Sequence, residues 1–138
     1  MSDDVVFVDT NVLVYLFDQG EPGKMAIAKE IFRQYQRIWL STQVLQEFFV
    51  VVTRKLERPL APDQALQSVQ HLLAYPTAVV TPALVIAGIR RSIDSQLSLW
   101  DALIVETALS EGVGLLITED LQDGWQTGAM RVWNPFSG

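Results

Sequence analysis

Four carboxylates in this chain sit in stretches of sequence that are otherwise apolar. Asp9 directly follows the run VVFV at 5–8. Glu47 has Val44 three residues before it, Phe48 beside it and Val51 four residues after it, so on a helix it shares an apolar stripe. Asp101 has Leu97, Ile104, Val105 and Ala108 at helical spacing and interrupts a second apolar face. Asp120 comes three residues after the run GLLI at 114–117. A buried carboxylate is costly unless it is paired or holds a metal. Basic partners are scarce here: Arg54 and Lys55 lie two turns from Glu47, and Arg90 and Arg91 belong to another segment. Convergence of the four acids on one cation site is the economical solution. Cysteine is absent, and the single histidine, His71, shares a helical face with Gln67 and Ser68 and reads as a surface residue. The ligands are then oxygen alone, the donor set of Mg²⁺ or Mn²⁺. Such an ion keeps several waters, and one of them can become the nucleophile in phosphodiester hydrolysis.

Each acid also has a simpler reading. Asp9 can cap a helix that begins near Val12, alone or together with metal binding. Glu47 can pair with a lysine or arginine. Asp101 can cap the helix that Leu99 and Trp100 approach. Asp120 shares its loop with Glu119 and Asp123, any of which can be a ligand or simply solvated. Arg54, Lys55 and Arg58 can touch phosphates or form an ordinary solvated basic helix end. Trp39, Trp100, Trp125 and Trp133 can stack on bases, although three of the four lie in or beside apolar segments that read as core. Gly112 and Gly114 are a helix stop before a strand, and no phosphate-binding glycine loop is present.

These acids need elements to position them. Strands are expected at 5–8, 38–40, 77–80, 114–117 and 130–133, and helices at 12–17, from about 22 through a stripe of Ala28, Ile31, Phe32 and Tyr35, from Ser41 or Thr42 to about 56, from Ala61-Pro62-Asp63 to Tyr75, from Thr81-Pro82 to about 93, and at 99–110. In the fourth helix Leu66, Val69 and Leu73 are expected on the buried face. The strand runs lack polar alternation, so both faces of the sheet are covered by helices. This is an α/β domain with a parallel sheet, in which ligands bind at the carboxyl ends of the strands, where Asp9 and Asp120 fall. The 138 residues suit a single domain, 1–138, large enough to bury a core without staples. The longest apolar runs, 48–52 and 83–87, are far short of a membrane span, and residues 1–4 lack the pattern of a secretory leader. A cytoplasmic protein is expected, with no membrane contact. Net charge is −6, against a general nucleic-acid coat protein but compatible with an acidic nuclease site. The 49% apolar content suggests a surface reserved for partners.

Four blocks then resemble the motifs of PIN-domain ribonucleases, in order and at matching spacing: VDTNVLVYLFD at 8–18, LSTQVLQEFF at 40–49, LSLWDALIVETA at 97–108 and LLITEDLQDG at 115–124. The resemblance covers nearly the whole chain and is closest to the toxins of bacterial type II toxin–antitoxin pairs. It implies a PIN-like fold, a parallel central sheet of four to five short strands flanked by helices, and an Mg²⁺- or Mn²⁺-dependent endoribonuclease. Asp9, Glu47, Asp101 and Asp120 match the family's acidic quartet as catalytic residues and metal ligands. Asn11 and Thr118 match its supporting polar positions. The resemblance further implies an RNA substrate, a homodimer, and an antitoxin protein that occludes the site. Where close relatives often carry a histidine, this chain has Asp123, an extra acid. The competing reading is a catalytically inactive PIN-like interaction module. A phosphatase pattern would need an aspartate where Asn11 stands, and a receiver domain would need a lysine in the block 115–124, which has none.

Overall fold

Val6, Phe7 and Val8 in the first strand are all fully buried. Successive strand residues face opposite sides of a sheet, so both faces of this strand are covered. The structure, a computed structural model, describes residues 2–137. In chain order it runs β1 Ser2–Val8, α1 Thr10–Tyr15, α2 Pro22–Gln34, β2 Tyr35–Ser41, α3 Thr42–Arg54, α4 Pro62–Leu72, β3 Thr77–Ala78, α5 Pro82–Ser95, α6 Leu99–Ser110, β4 Leu115–Ile117, β5 Gln126–Thr127 and β6 Met130–Trp133. The sheet order is β3-β2-β1-β4-β6-β5. Every neighbouring pair is parallel except β5 with β6. Phe7 stands in register with Trp39 of β2 on one side and Leu116 of β4 on the other. The chain steps from β1 to β2 and β3 in one direction, then returns to place β4 on the opposite side of β1. A crevice opens where strand order reverses in this way, here between the carboxyl ends of β1 and β4.

Helix starts follow their caps. Ser41 accepts from the Val44 N–H, Thr81 from Leu84 and Ser98 from Asp101, and proline occupies the first turn of α2, α4 and α5. The core joins β1, Ile38 and Leu40 of β2 and Leu116 and Ile117 of β4 to Leu13, Phe48, Ile104 and Val105 from the helices. Gly88 of α5 is buried against Leu103 of α6, so these two helices approach closely.

Three sequence expectations change. The sheet has six strands rather than four to five. The added strand is β5, two polar residues joined to β6 through Gly128 at φ +58°, where glycine is the natural hairpin residue. Tyr35 is not the last residue of the α2 stripe: it has turned extended and opens β2, because helix and strand abut without a loop. On α4 the buried residues are Ala65 and Leu72 with Val69 partly buried, whereas Leu66 and Leu73 are exposed. The inward stripe there is set by the small Ala65, which lets α4 lie close to α3, and the larger leucines are left outside it.

Candidate active site

The end of β1 delivers the first acid. Asp9 has left the strand, but its N–H still donates to the Ile117 carbonyl at 3.0 Å, so its position is fixed by the β1–β4 ladder. Its side chain caps α1, Oδ1 accepting from the Thr10 N–H at 2.7 Å, and Oδ2 accepts from the Thr118 hydroxyl at 2.8 Å. Asp9 is therefore the cap that its sequence position allows, and it is only 3% exposed. Burial, helped by the charges of Asp120 and Glu47, outweighs the bonds from Thr118 and Thr10 and pushes its carboxyl up to about 7.

The other acids come from three further elements. Thr118 follows β4, fully buried, and accepts from Asn11 Nδ2 at 3.3 Å and the Asp120 N–H at 3.0 Å. Asn11, on α1, also donates to Asp120 Oδ2 at 3.1 Å and accepts from the Glu119 N–H at 3.2 Å through Oδ1. One asparagine thus ties the turn after β4 to α1. Glu47, on α3, has no basic partner among the described residues; Thr10 donates to its Oε1 at 2.8 Å and Gln43 to its Oε2 at 3.4 Å. Asp101 lies in the first turn of α6, whose cap is Ser98, and not Asp101 itself. Its carboxyl is raised, first by partial burial and then by the nearby charges of Asp120 and Glu47. The charges of Glu47 and Asp120 thus bear on both Asp9 and Asp101, which places the four acids in one neighbourhood. Among the described residues, none of the four is ion-paired to a lysine or arginine.

Glu119 and Asp123, the other acids of this turn, are engaged elsewhere. Glu119 accepts from Lys24 Nζ at 2.7 Å and from the Tyr15 hydroxyl at 2.5 Å. Burial works to raise its carboxyl, but those two bonds prevail and hold it below the usual range. Asp123 accepts from the Asn134 N–H at 2.8 Å.

A groove of about 720 Å³ is lined by Glu47 and Asp120, but not by Asp9 or Asp101, together with Asn11, Gln43, Trp100 and Lys55. Lys55 is thus the basic residue of the 54–58 group that reaches it; Arg54 and Arg58 are exposed but do not line it. Trp100 is 60% exposed, and its carbonyl accepts from Gln43 Nε2 at 3.1 Å. Thr10, Gln43, Tyr15 and Lys24 were not singled out in the sequence. Thr10 and Tyr15 carried a faint signal, flanking Asp9 and lying one turn beyond Asn11.

The donor set suits a hard cation: carboxylate, hydroxyl and amide oxygens beside a water-accessible groove, with a carboxyl whose ionisation is opposed first by burial and then by its acidic neighbours. Among the described residues no group of three or more histidine, cysteine, aspartate or glutamate side chains is gathered so that it could hold a metal ion as it stands. Waters would have to complete the shell, as Mg²⁺ commonly requires.

The PIN domain profile matches the chain over residues 6–122. This protein belongs to the PIN domain family. Solved structures share the fold over most of their length. A toxin–antitoxin complex from Klebsiella pneumoniae superposes with a TM-score of 0.72 at 20% identity, covering 96% of this chain and 98% of the other. VapC20 of Mycobacterium tuberculosis, a sarcin–ricin loop cleaving toxin, gives 0.67 at 17% identity over 80% and 86% of the two chains. A DNA-bound VapBC from Salmonella typhimurium gives 0.66 at 19% over 94% and 96%. No curated protein matches this PIN domain in sequence. Among its described residues, no helix is long and apolar enough to cross a membrane.

Proposed function

We propose that this PIN domain, 1–138 acting as one unit, is an Mg²⁺- or Mn²⁺-dependent endoribonuclease and the cytoplasmic toxin of a toxin–antitoxin pair. The observation that carries the reading is the grouping of Asp9, Glu47, Asp101 and Asp120: among the described residues none of the four pairs with a lysine or arginine, the charges of Glu47 and Asp120 bear on both Asp9 and Asp101, and Glu47 and Asp120 line a groove at the strand ends. These four would hold the ion. When bound, an Mg²⁺ or Mn²⁺ ion would offset the negative charge of these carboxylates and lower the pKa of a water, so that hydroxide is available as a nucleophile for phosphorus. Thr118 and Thr10 hold Asp9 in one orientation, Asn11 fixes the Asp120 carboxylate, and Thr10 and Gln43 fix Glu47. Lys55 offers a charge to a phosphate and Trp100 an exposed face to a base, both in the groove that Glu47 and Asp120 line.

Two partners complete the reading. The antitoxin is a protein whose basic or bulky side chain enters the acidic groove; the toxin–antitoxin complexes that share this fold support it. The second copy of a homodimer packs on α5, where Ile86, Ile89 and Ile93 form an exposed stripe at helical spacing. The test is RNA cleavage by protein freed of any co-purifying small protein, with Mg²⁺, with Mn²⁺ and with chelator. Cleavage with either ion, abolished by chelator and by Asp9→Asn, is expected. A folded protein that cuts no RNA with either ion would mark the chain as a non-catalytic interaction module.

A further inference from the structure

Glu119 stands between Thr118 and Asp120 in the chain, yet its side chain joins a separate network. Its carboxylate accepts from Lys24 Nζ at 2.7 Å through Oε2 and from the Tyr15 hydroxyl at 2.5 Å through Oε1, and Lys24 also donates to the Tyr15 hydroxyl at 3.1 Å. The three groups close a triangle. Lys24 Nζ lies 4.9 Å from the centroid of the Tyr15 ring, and that ring meets Phe136 edge-on at 4.8 Å. The backbone of Glu119 is held as well: its N–H donates to Asn11 Oδ1 at 3.2 Å, and its carbonyl accepts from Asn134 Nδ2 at 3.4 Å. One residue of the turn is therefore gripped at its side chain, its N–H and its carbonyl, by α1, by α2 and by the segment after β6.

An exposed lysine–glutamate pair contributes little. This one differs: the side chains are 35% and 26% exposed, a tyrosine hydroxyl bridges them, and an aromatic floor lies beneath the ammonium. It also sits directly beside the turn residues that build the site: Thr118 donates to Asp9 and accepts from the Asp120 N–H, and Asp120 accepts from Asn11. A site that must hold its groups to within a fraction of an ångström needs such support.

We propose that Lys24, Tyr15 and Glu119 form a clamp that positions the turn 118–120, keeping Asp120 and Thr118 against Asp9 before any metal binds. The three are positioning residues and act through Asn11 and the turn. Their effect on cleavage rests on the nuclease reading above; their effect on the turn does not. The test therefore has two arms, with wild type, Lys24→Met, Glu119→Gln, Tyr15→Phe and Lys24→Arg. In metal-free protein, amide exchange by NMR is expected to quicken at Glu119 and Asp120 by at least about tenfold in Lys24→Met and Glu119→Gln. Core amides of β1 should stay as in wild type, and Lys24→Arg should restore protection. In the cleavage arm, kcat on single-stranded RNA should fall about ten- to a hundredfold with KM unchanged, as for a small misplacement of a reacting group. Unchanged exchange at Glu119 and Asp120 in both variants would overturn the clamp, and so would a uniform rise across all amides, which marks general destabilisation. If wild-type protein cuts no RNA, the nuclease reading fails, and the exchange arm alone decides the clamp.

Discussion

Asp9 is the residue at which stability and function pull apart. Its carboxyl titrates near 7 in the folded chain, mainly through burial, against about 3.8 for a free side chain. A raised acid pKa means that the folded state binds the proton more tightly. Its stabilising effect is full below about pH 4, declines as pH rises towards 7 and is then gone. The change amounts to roughly 4 kcal/mol. In chelator, wild-type protein should thus lose stability between pH 5 and pH 8. Asparagine mimics the protonated carboxyl, so Asp9→Asn should match wild type only below about pH 4, already exceed it at pH 5 and exceed it further at pH 8, while losing RNA cleavage. Denaturant melts at the two pH values check this; a mutant less stable by ~1–3 kcal/mol at pH 8 would show that the ionised carboxylate is a structural acceptor. Trp100 makes the opposite prediction. At 60% exposure it carries little of the fold, so Trp100→Ala should leave the melting curve almost unmoved. If its face stacks a base, KM for RNA should rise, since one such stack is worth ~1–3 kcal/mol; unaltered steady-state kinetics would remove it from the substrate site.

Among the elements, the α5–α6 pair shows how the sequence places Asp101. α6 is apolar on all sides, with Ala102 to Val105, Thr107 and Ala108 buried, so no single stripe fixes its rotation. Gly88 supplies part of the answer. A Cβ there would stand 2.8 Å from Leu103 Cδ2 and 3.4 Å from its Cα, and Leu103 is itself buried. The Arg91–Glu106 pair at 2.6 Å locks the same two helices further along. Gly88→Ala should raise intrinsic helix propensity yet still destabilise the protein by ~1–3 kcal/mol through overpacking, read in urea melts. A neutral or stabilising result would mean that α6 shifts freely, and that Asp101 is not held by this contact.

At the scale of the whole molecule, the acids and the apolar stripe of α5 are unfinished surfaces in the isolated chain. Mg²⁺ or Mn²⁺ should raise the melting temperature, because an ion that binds only the folded state stabilises it, by about 2.7 kcal/mol at a hundred times its Kd. That rise should vanish in Asp9→Asn, which also separates the cluster from nonspecific salt effects. The stripe of Ile86, Ile89 and Ile93 predicts a dimer by light scattering at micromolar concentration. Ile93→Glu, at a position already 72% exposed, should yield a folded monomer. A monomeric wild-type protein under those conditions would refute the dimer.

What the sequence determined by itself was local or periodic. The unbroken run 5–8 implied a strand covered on both faces, and the caps at Ser41 and Thr81 and the glycine after Ser110 bounded helices close to where they lie. The four acids stood out because each interrupts an apolar neighbourhood, and an alternation of short strands and helices brings Asp9 and Asp120 to neighbouring strand ends. Other features needed the folded chain. Periodicity placed Leu66 and Leu73 inside, but burial on α4 depends on which face meets α3. Two polar residues become β5 only because β6 lies beside them. Nothing near Glu119 in the chain distinguishes it from Asp120 or Asp123; their roles divide because the Glu119 carboxylate meets Lys24 and Tyr15 whereas that of Asp120 meets Asn11. Such pairings join residues about a hundred positions apart, and only the packing of α1 and α2 against the end of β4 brings them within hydrogen-bond reach.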